Sequence, residues 1–219
     1  MNQFVILSRT AVLSIAIGAS SLAGAQSSTA AGLDPQSHAR LAYLPASALD
    51  DNSRKIYEIF KTDDGKLNGP LAFAAYNSGV GLALLDLHNA AVGGTLDAHA
   101  RELAILVACR ATNYHLEWNA HLAAARRAGI DDNVINIVRT GAAPVGIDDK
   151  DAAIIGFGRQ LYDDRKVDSA TFAKVEKYWG QRGAMDMVAV MNTYAVSGYF
   201  AIAVDERAMP GEETLPSLK

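Results

Sequence analysis

The chain has 219 residues, half of them apolar and a fifth charged, with a formal net charge of −4. That is enough apolar material for one sizeable core or two small lobes. No run of Lys or Arg stands out, which argues against nucleic acid or an anionic membrane surface as a partner.

The N-terminal segment "MNQFVILSRTAVLSIAIGASSLAGAQ" carries Arg9 as its only charge, then an apolar run from Ala11 that ends in Ala23-Gly24-Ala25. A basic start, a short apolar centre and an A-x-A end describe a secretory signal peptide. The run is shorter than the ~20 residues of a spanning helix. Residues 1–25 are therefore expected to be removed, leaving a periplasmic or secreted protein with no stable membrane anchor; a retained N-terminal anchor is the alternative. Cys109 is the only cysteine, so no internal disulfide supports the fold. Its setting in "LAILVACRA" predicts a buried, inert thiol.

Residues 26–43 are polar and aperiodic and read as a linker, and 44–210 as one helical domain. Alternating strand patterns are nearly absent. "DDNSRKIYEIFKTDDG" predicts a helix opened by acidic residues and stopped at Gly65. "GPLAFAAYNSG" starts with Pro70 at a first-turn position, and Asn77 or Ser78 caps "GVGLALLDLHNAAVGG". A long helix begins near Asp97 in "LDAHARELAILVACRATN"; "YHLEWNAHLAAARRAG" follows at once and closes at Gly129. "DDNVINIVRTG" is short. "DDKDAAIIGFGRQLYDDRKV" and "DSATFAKVEKYWG" each begin with capping aspartates. "RGAMDMVAVMNTYAVSGYFAIAVDE" is the longest apolar stretch and predicts a helix central to the core or to a subunit contact. Residues 211–219 form an irregular tail. The expected fold class is all-α.

The connection at Thr112 and Asn113 is too short for anything but a tight turn between antiparallel helices, with Asn113 available as N-cap. Glu102 lies ten residues before Thr112 and His121 eight after Asn113. At ~1.5 Å per residue their heights differ by about half a turn, so they can face each other. Tyr114, Glu117, Trp118 and His121 stand at i, i+3, i+4 and i+7, one face of a helix. Two carboxylates and an imidazole gathered between packed helices shift one another's proton affinities, the condition for general acid–base catalysis. The same residues admit a structural reading: Glu117 and His121 as a surface pair, Trp118 as core, Glu102 bonded only to Arg101 or Arg110. No third ligand joins Glu117 and His121, so no metal is expected. His38, His88 and His99 stand alone and read as solvated or core histidines. No phosphate loop, nucleophile elbow or C-x-x-C occurs.

"LDAHARELAILVACRATNYHLEWNAHLAAARRAGI" resembles the core motif of the carboxymuconolactone decarboxylase family, related to the alkylhydroperoxidase-D-like proteins. Arg101, Glu102, Glu117, Trp118, His121 and Gly129 match its pattern, and the resemblance extends from about Leu44 to Pro210. It implies an alkylhydroperoxidase-D-like helical fold around a central antiparallel hairpin, and a homo-oligomer, trimeric or hexameric. Hydroperoxidase members carry C-x-x-C before the histidine, with a glutamate twelve residues ahead of the first cysteine. Here Tyr114 and Glu117 hold the cysteine places, so no dithiol is available for peroxide reduction.

The resemblance then implies cofactor-free, metal-free proton-transfer chemistry of the decarboxylase or lyase type on a small carboxylated or lactone compound. It makes His121 the proton donor or base, Glu102 its orienting partner, Glu117 a second acid–base group and Tyr114 a donor to a developing oxyanion. Arg101 or Arg110 would receive a substrate carboxylate, with Trp118 beside it. An antioxidant protein of the same superfamily and a non-catalytic oligomeric binding protein are the competing readings.

Overall fold

The computed structural model describes residues 32–61, 71–209 and 211–217. The expected signal segment, the start of the linker, Gly65, Pro70 and Pro210 lie outside the described residues. Those described contain no β-strand, and no helix among them is long and apolar enough to cross a membrane.

Seven α-helices follow in order: α1 Asp51–Phe60, α2 Ser78–Val92, α3 Ala98–Ala111, α4 His115–Arg127, α5 Asp132–Thr140, α6 Asp149–Arg159 and α7 Ser169–Ala203. A one-turn 3-10 segment, Ala74–Asn77, leads into α2, and a π-helical turn, Gln160–Asp164, extends α6. Aspartates start most of them. Asp50, Asp97, Asp131, Asp148 and Asp168 each accept a backbone N–H of the first turn, supplying a partner that the helix itself lacks there. Asn77 does the same for α2. Gly129 at φ 82° and Gly141 at φ 73° close α4 and α5, left-handed positions that favour glycine.

The most enclosed helix is α3; α7, expected to be central to the core or to a subunit contact, adds the fully buried Met187, Val190 and Met191 to the same core. From Glu102 to Arg110 every residue of α3 is buried, and α4, α5, α6 and α7 all pack on it. Its sequence is apolar nearly all round, which requires cover on every side. α7 presents one face to α2, α3 and α6 and leaves Met185, Tyr199 and Ile202 more than half exposed. Gly180, at φ 67°, interrupts α7 between the two segments that the sequence separates.

Gly198 sets how closely α7 approaches the hairpin. A Cβ there would stand 2.3 Å from Thr112 Oγ1, so glycine lets the end of α3 rest against α7.

The two ends of the described residues are more tightly held than a linker and a loose tail. Ser37 and Ala39 are buried, and Arg40 N–H donates to the Val204 carbonyl at 2.7 Å. At the other end Leu215 is buried in the main core. Asn119 Nδ2 and Arg110 Nη2 donate to the carbonyls of Glu213 and Pro216. Backbone polar groups in irregular segments still need partners when covered, and these side chains provide them.

Candidate active site

The α3–α4 hairpin brings Glu102 and His121 together. His121 Nδ1–H donates to Glu102 Oε2 at 2.8 Å. Its Nε2 faces Glu117 Oε2 at 3.4 Å, one turn earlier on α4. Glu102 is 8% exposed and Glu117 7%, so both carboxylates are withdrawn from solvent and meet the same ring from opposite sides. Burial alone would favour the neutral imidazole. The hydrogen bonds and charges of Glu102 and Glu117 together outweigh it and push the His121 pKa up to about 9. The ring is held as imidazolium at neutral pH.

His121 and Glu117 open onto a cavity of about 140 Å³ whose wall also includes Leu84, His88, Thr193 and Tyr194. The His121 ring stands edge-on to Tyr194, with centroids 4.9 Å apart. Tyr194 in turn packs on His88 at 5.7 Å. Burial holds His88 below the ordinary histidine value; Glu117 pulls it upward and the His121 charge opposes that. One hollow thus contains a cationic and a neutral imidazole, groups whose environments drive their proton affinities apart, as an acid and a base require.

Other residues singled out in the sequence stand elsewhere. Tyr114 is the N-cap of α4, with extended backbone, so the helical spacing that would align it with His121 does not reach it. Its side chain is 3% exposed and lines a different hollow with His115 and Glu206. Burial and Glu206 raise its pKa well above that of an ordinary tyrosine. Asn113 does not cap α4. It takes the left-handed conformation at φ 52° that so tight a turn demands, and its Oδ1 accepts from Arg110 Nη1 at 2.7 Å. Trp118 is core, 1% exposed, with the Arg139 guanidinium over its ring at 5.8 Å.

Arg101 donates to the Leu96 carbonyl and does not line the cavity. Arg110 is eight residues along α3 from Glu102, roughly 12 Å at the helical rise, and lines a separate hollow. Neither arginine shares the wall that His121 occupies.

Sequence reasoning missed His88, Thr193 and Tyr194. His88 follows Leu84 by one turn on α2, and both face the cavity. "NTYAVS" is a polar interruption in the most apolar stretch of the chain, and that was the available signal. His99 is not solitary either: its Nε2 meets Asp151 Oδ1 at 2.7 Å and its Nδ1 the Ala128 carbonyl at 3.2 Å. This pair ties α3 to α6 away from the cavity.

Cys109 is fully buried and free, and burial raises its pKa well above that of an ordinary thiol. Among the described residues no group of three or more His, Cys, Asp or Glu side chains could hold a metal.

An all-helical bundle with a thiol-free cluster of carboxylates and imidazoles is the class that fold and site define. Residues 79–156 match the model of the Carboxymuconolactone decarboxylase family. The matched stretch runs from α2 into α6 and carries His88, Glu102, Glu117 and His121; it is narrower than the resemblance read from the sequence. The single buried cysteine accords with a thiol-free branch of that family. No curated protein matches the chain.

Proposed function

We propose that the chain is a cofactor-independent acid–base enzyme of the decarboxylase or lyase type, acting on a small carboxylated or lactone compound. The observation that carries this reading is the Glu102–His121–Glu117 cluster opening onto a cavity shared with His88. At about 140 Å³ the hollow is smaller than the ~300 Å³ or more of sites for drug-sized ligands, which suits a compact substrate.

In the decarboxylation of an unsaturated lactone acid, the bond between the ring carbon and the carboxylate breaks. Its electron pair moves into the conjugated carbonyl system as a dienolate, and CO₂ leaves. A proton must then reach carbon. His121 supplies it from Nε2 and becomes neutral; a proton from solvent restores it, so one proton is consumed per CO₂ released. Glu102 fixes the ring through Nδ1 and favours the charged form. Glu117 holds the second ring N–H toward the cavity, and the neutral His88 is placed to accept or share a proton. Tyr194 offers its hydroxyl to a developing oxyanion, whereas the Thr193 hydroxyl donates to the Ala189 carbonyl at 2.7 Å. The enclosed Cys109 presents no thiolate to a peroxide, which weighs against the antioxidant reading.

Carboxymuconolactone is the first compound to try, with CO₂ release as the readout. His121→Gln is expected to lower kcat by roughly 10²–10⁴ while far-UV circular dichroism retains its helical signal. Full turnover in both His121→Gln and Glu102→Gln would overturn the assignment.

Export with removal of residues 1–25, and assembly into a trimer or hexamer, belong to the same proposal. The A-x-A end supports the first, and the exposed Met185, Tyr199 and Ile202 of α7 accord with the second. N-terminal sequencing of the exported protein and its mass in solution test them.

A further inference from the structure

A second hollow, of about 500 Å³, lies against α3, α5 and α6 and shares no wall residue with the His121 cavity. Its wall includes two guanidinium groups, Arg110 and Arg159, and one acid, Asp163. Arg110 is 5% exposed. Its two terminal nitrogens donate to Asn113 Oδ1 and to the Pro216 carbonyl, at 2.7 and 2.6 Å. Its Nε–H is buried with no partner. Arg159 spends its donors on the carbonyls of Ala142 and Ile137, at 2.8 and 3.1 Å. Neither arginine forms an ion pair among the described residues. Carbonyl oxygens satisfy N–H groups but leave a positive charge uncancelled, which is costly for Arg110, withdrawn from water; Arg159 is half-buried and interacts with the Asp163 carboxylate.

The same wall contains a second unmet group. The Tyr162 hydroxyl is buried and has no hydrogen-bond partner. Tyr162 belongs to the π-helical turn Gln160–Asp164, a local widening of a helix that is found often at functional sites. The hollow also has an apolar side, formed by Val107, Val138 and Ile155.

We propose that this hollow binds a small monocarboxylate with an apolar body, at a site separate from the acid–base cavity. The carboxylate lies toward Arg110 and Arg159, where it cancels charge. The apolar body covers the valines and Ile155. The volume falls within the range of ligand sites. A compact inorganic anion would leave the apolar wall uncovered, and a neutral alcohol of the same shape would leave the arginines uncompensated. Both are therefore poorer occupants than a carboxylate such as benzoate.

Calorimetric titration of the full chain with benzoate, benzyl alcohol and inorganic phosphate tests this. Benzoate is expected to bind, with benzyl alcohol and phosphate each at least about tenfold weaker. Tyr162→Phe removes only a buried hydroxyl without a partner, so the fold persists. It should leave benzoate affinity unchanged, because that hydroxyl has no surface open to the hollow. Arg159→Gln should weaken it by about tenfold, the worth of one hydrogen bond to a charged group, and His121→Gln should leave it unchanged. No benzoate binding, phosphate binding as tight as benzoate, or an affinity that responds to His121→Gln and not to Arg159→Gln would each overturn the proposal. The result is independent of whether the chain decarboxylates anything.

Discussion

His121 Nδ1 and Glu102 Oε2 are 2.8 Å apart across the α3–α4 hairpin, although nineteen residues separate them in sequence. This bond is one of the two contacts that keep the imidazole charged. Glu102→Gln retains an acceptor oxygen of the same shape but removes the charge. The His121 pKa is then expected to fall from about 9 by at least about one unit, each unit being a tenfold change in proton affinity. Titration of the imidazole nitrogen resonances by NMR checks this; an unchanged midpoint would show that Glu117 alone sets the ring's charge.

Stability should fall with rising pH in two separable windows. The His121 pKa is raised from its ordinary 6.5 to about 9, so its contribution is complete below about pH 6.5 and lost as pH rises through 9. Burial, as the largest influence, lifts Glu206 from 4.5 to about 7. The folded chain therefore binds this proton more tightly than the unfolded one, and stability drops between about pH 4.5 and 7. In both windows the native state holds more protons, which makes the slope negative. Urea midpoints measured across pH should lose the lower window in Glu206→Gln and the upper one in His121→Gln. A variant that flattens the other window would reverse the assignment.

Much of the fold was legible in the sequence because helix starts are written in short-range chemistry. The aspartates at 97, 148 and 168 each cap the helix expected after them, and Gly129 closes α4. The Glu102–His121 meeting was legible for a related reason: a three-residue connection leaves antiparallel neighbours little freedom of register. Tyr114 shows the limit. Its spacing from Glu117 aligns the two only inside a helix, and α4 begins one residue later, at His115. Asn113 shows the same ambiguity from the other side, since asparagine serves both caps and left-handed turns. His88 was not legible, and Tyr194 only as part of a polar interruption, because they reach the cavity from α2 and α7, which meet the hairpin only through long-range packing. Burial of Ala39 and Leu215 near the two ends of the described residues was hidden likewise, since their neighbours are polar and aperiodic.

Close packing of α7 on the hairpin yields a steric prediction. Gly198→Ala would place its methyl 2.3 Å from Thr112 Oγ1 and 2.6 Å from its Cβ. Thr112 is buried and its hydroxyl donates to the Ala108 carbonyl at 3.2 Å, so it has little room to turn. α7 must shift, at a cost of ~1–3 kcal/mol for overpacking. Because Tyr194 lies one turn away on the same helix, its edge-on contact with His121 should loosen as well. Chemical denaturation measures the first effect, and a moved His121 resonance reports the second.

Cys109 supplies the last test, because thiol chemistry divides the acid–base reading from the antioxidant one. The thiol is fully buried on α3, and burial, with Glu117 adding to it, raises its pKa well above the ordinary value. A thiol reagent needs both contact and thiolate, and the native chain withholds both. Modification by an aromatic disulfide reagent should therefore be slow under native conditions and rapid in denaturant, tracking the unfolded fraction. Cys109→Ser should leave any turnover of a lactone acid unchanged while costing stability, since it places a hydroxyl in an apolar core. Rapid native labelling, or loss of turnover with the fold intact, would bring the thiol back into the chemistry and remove His121 from the centre of it.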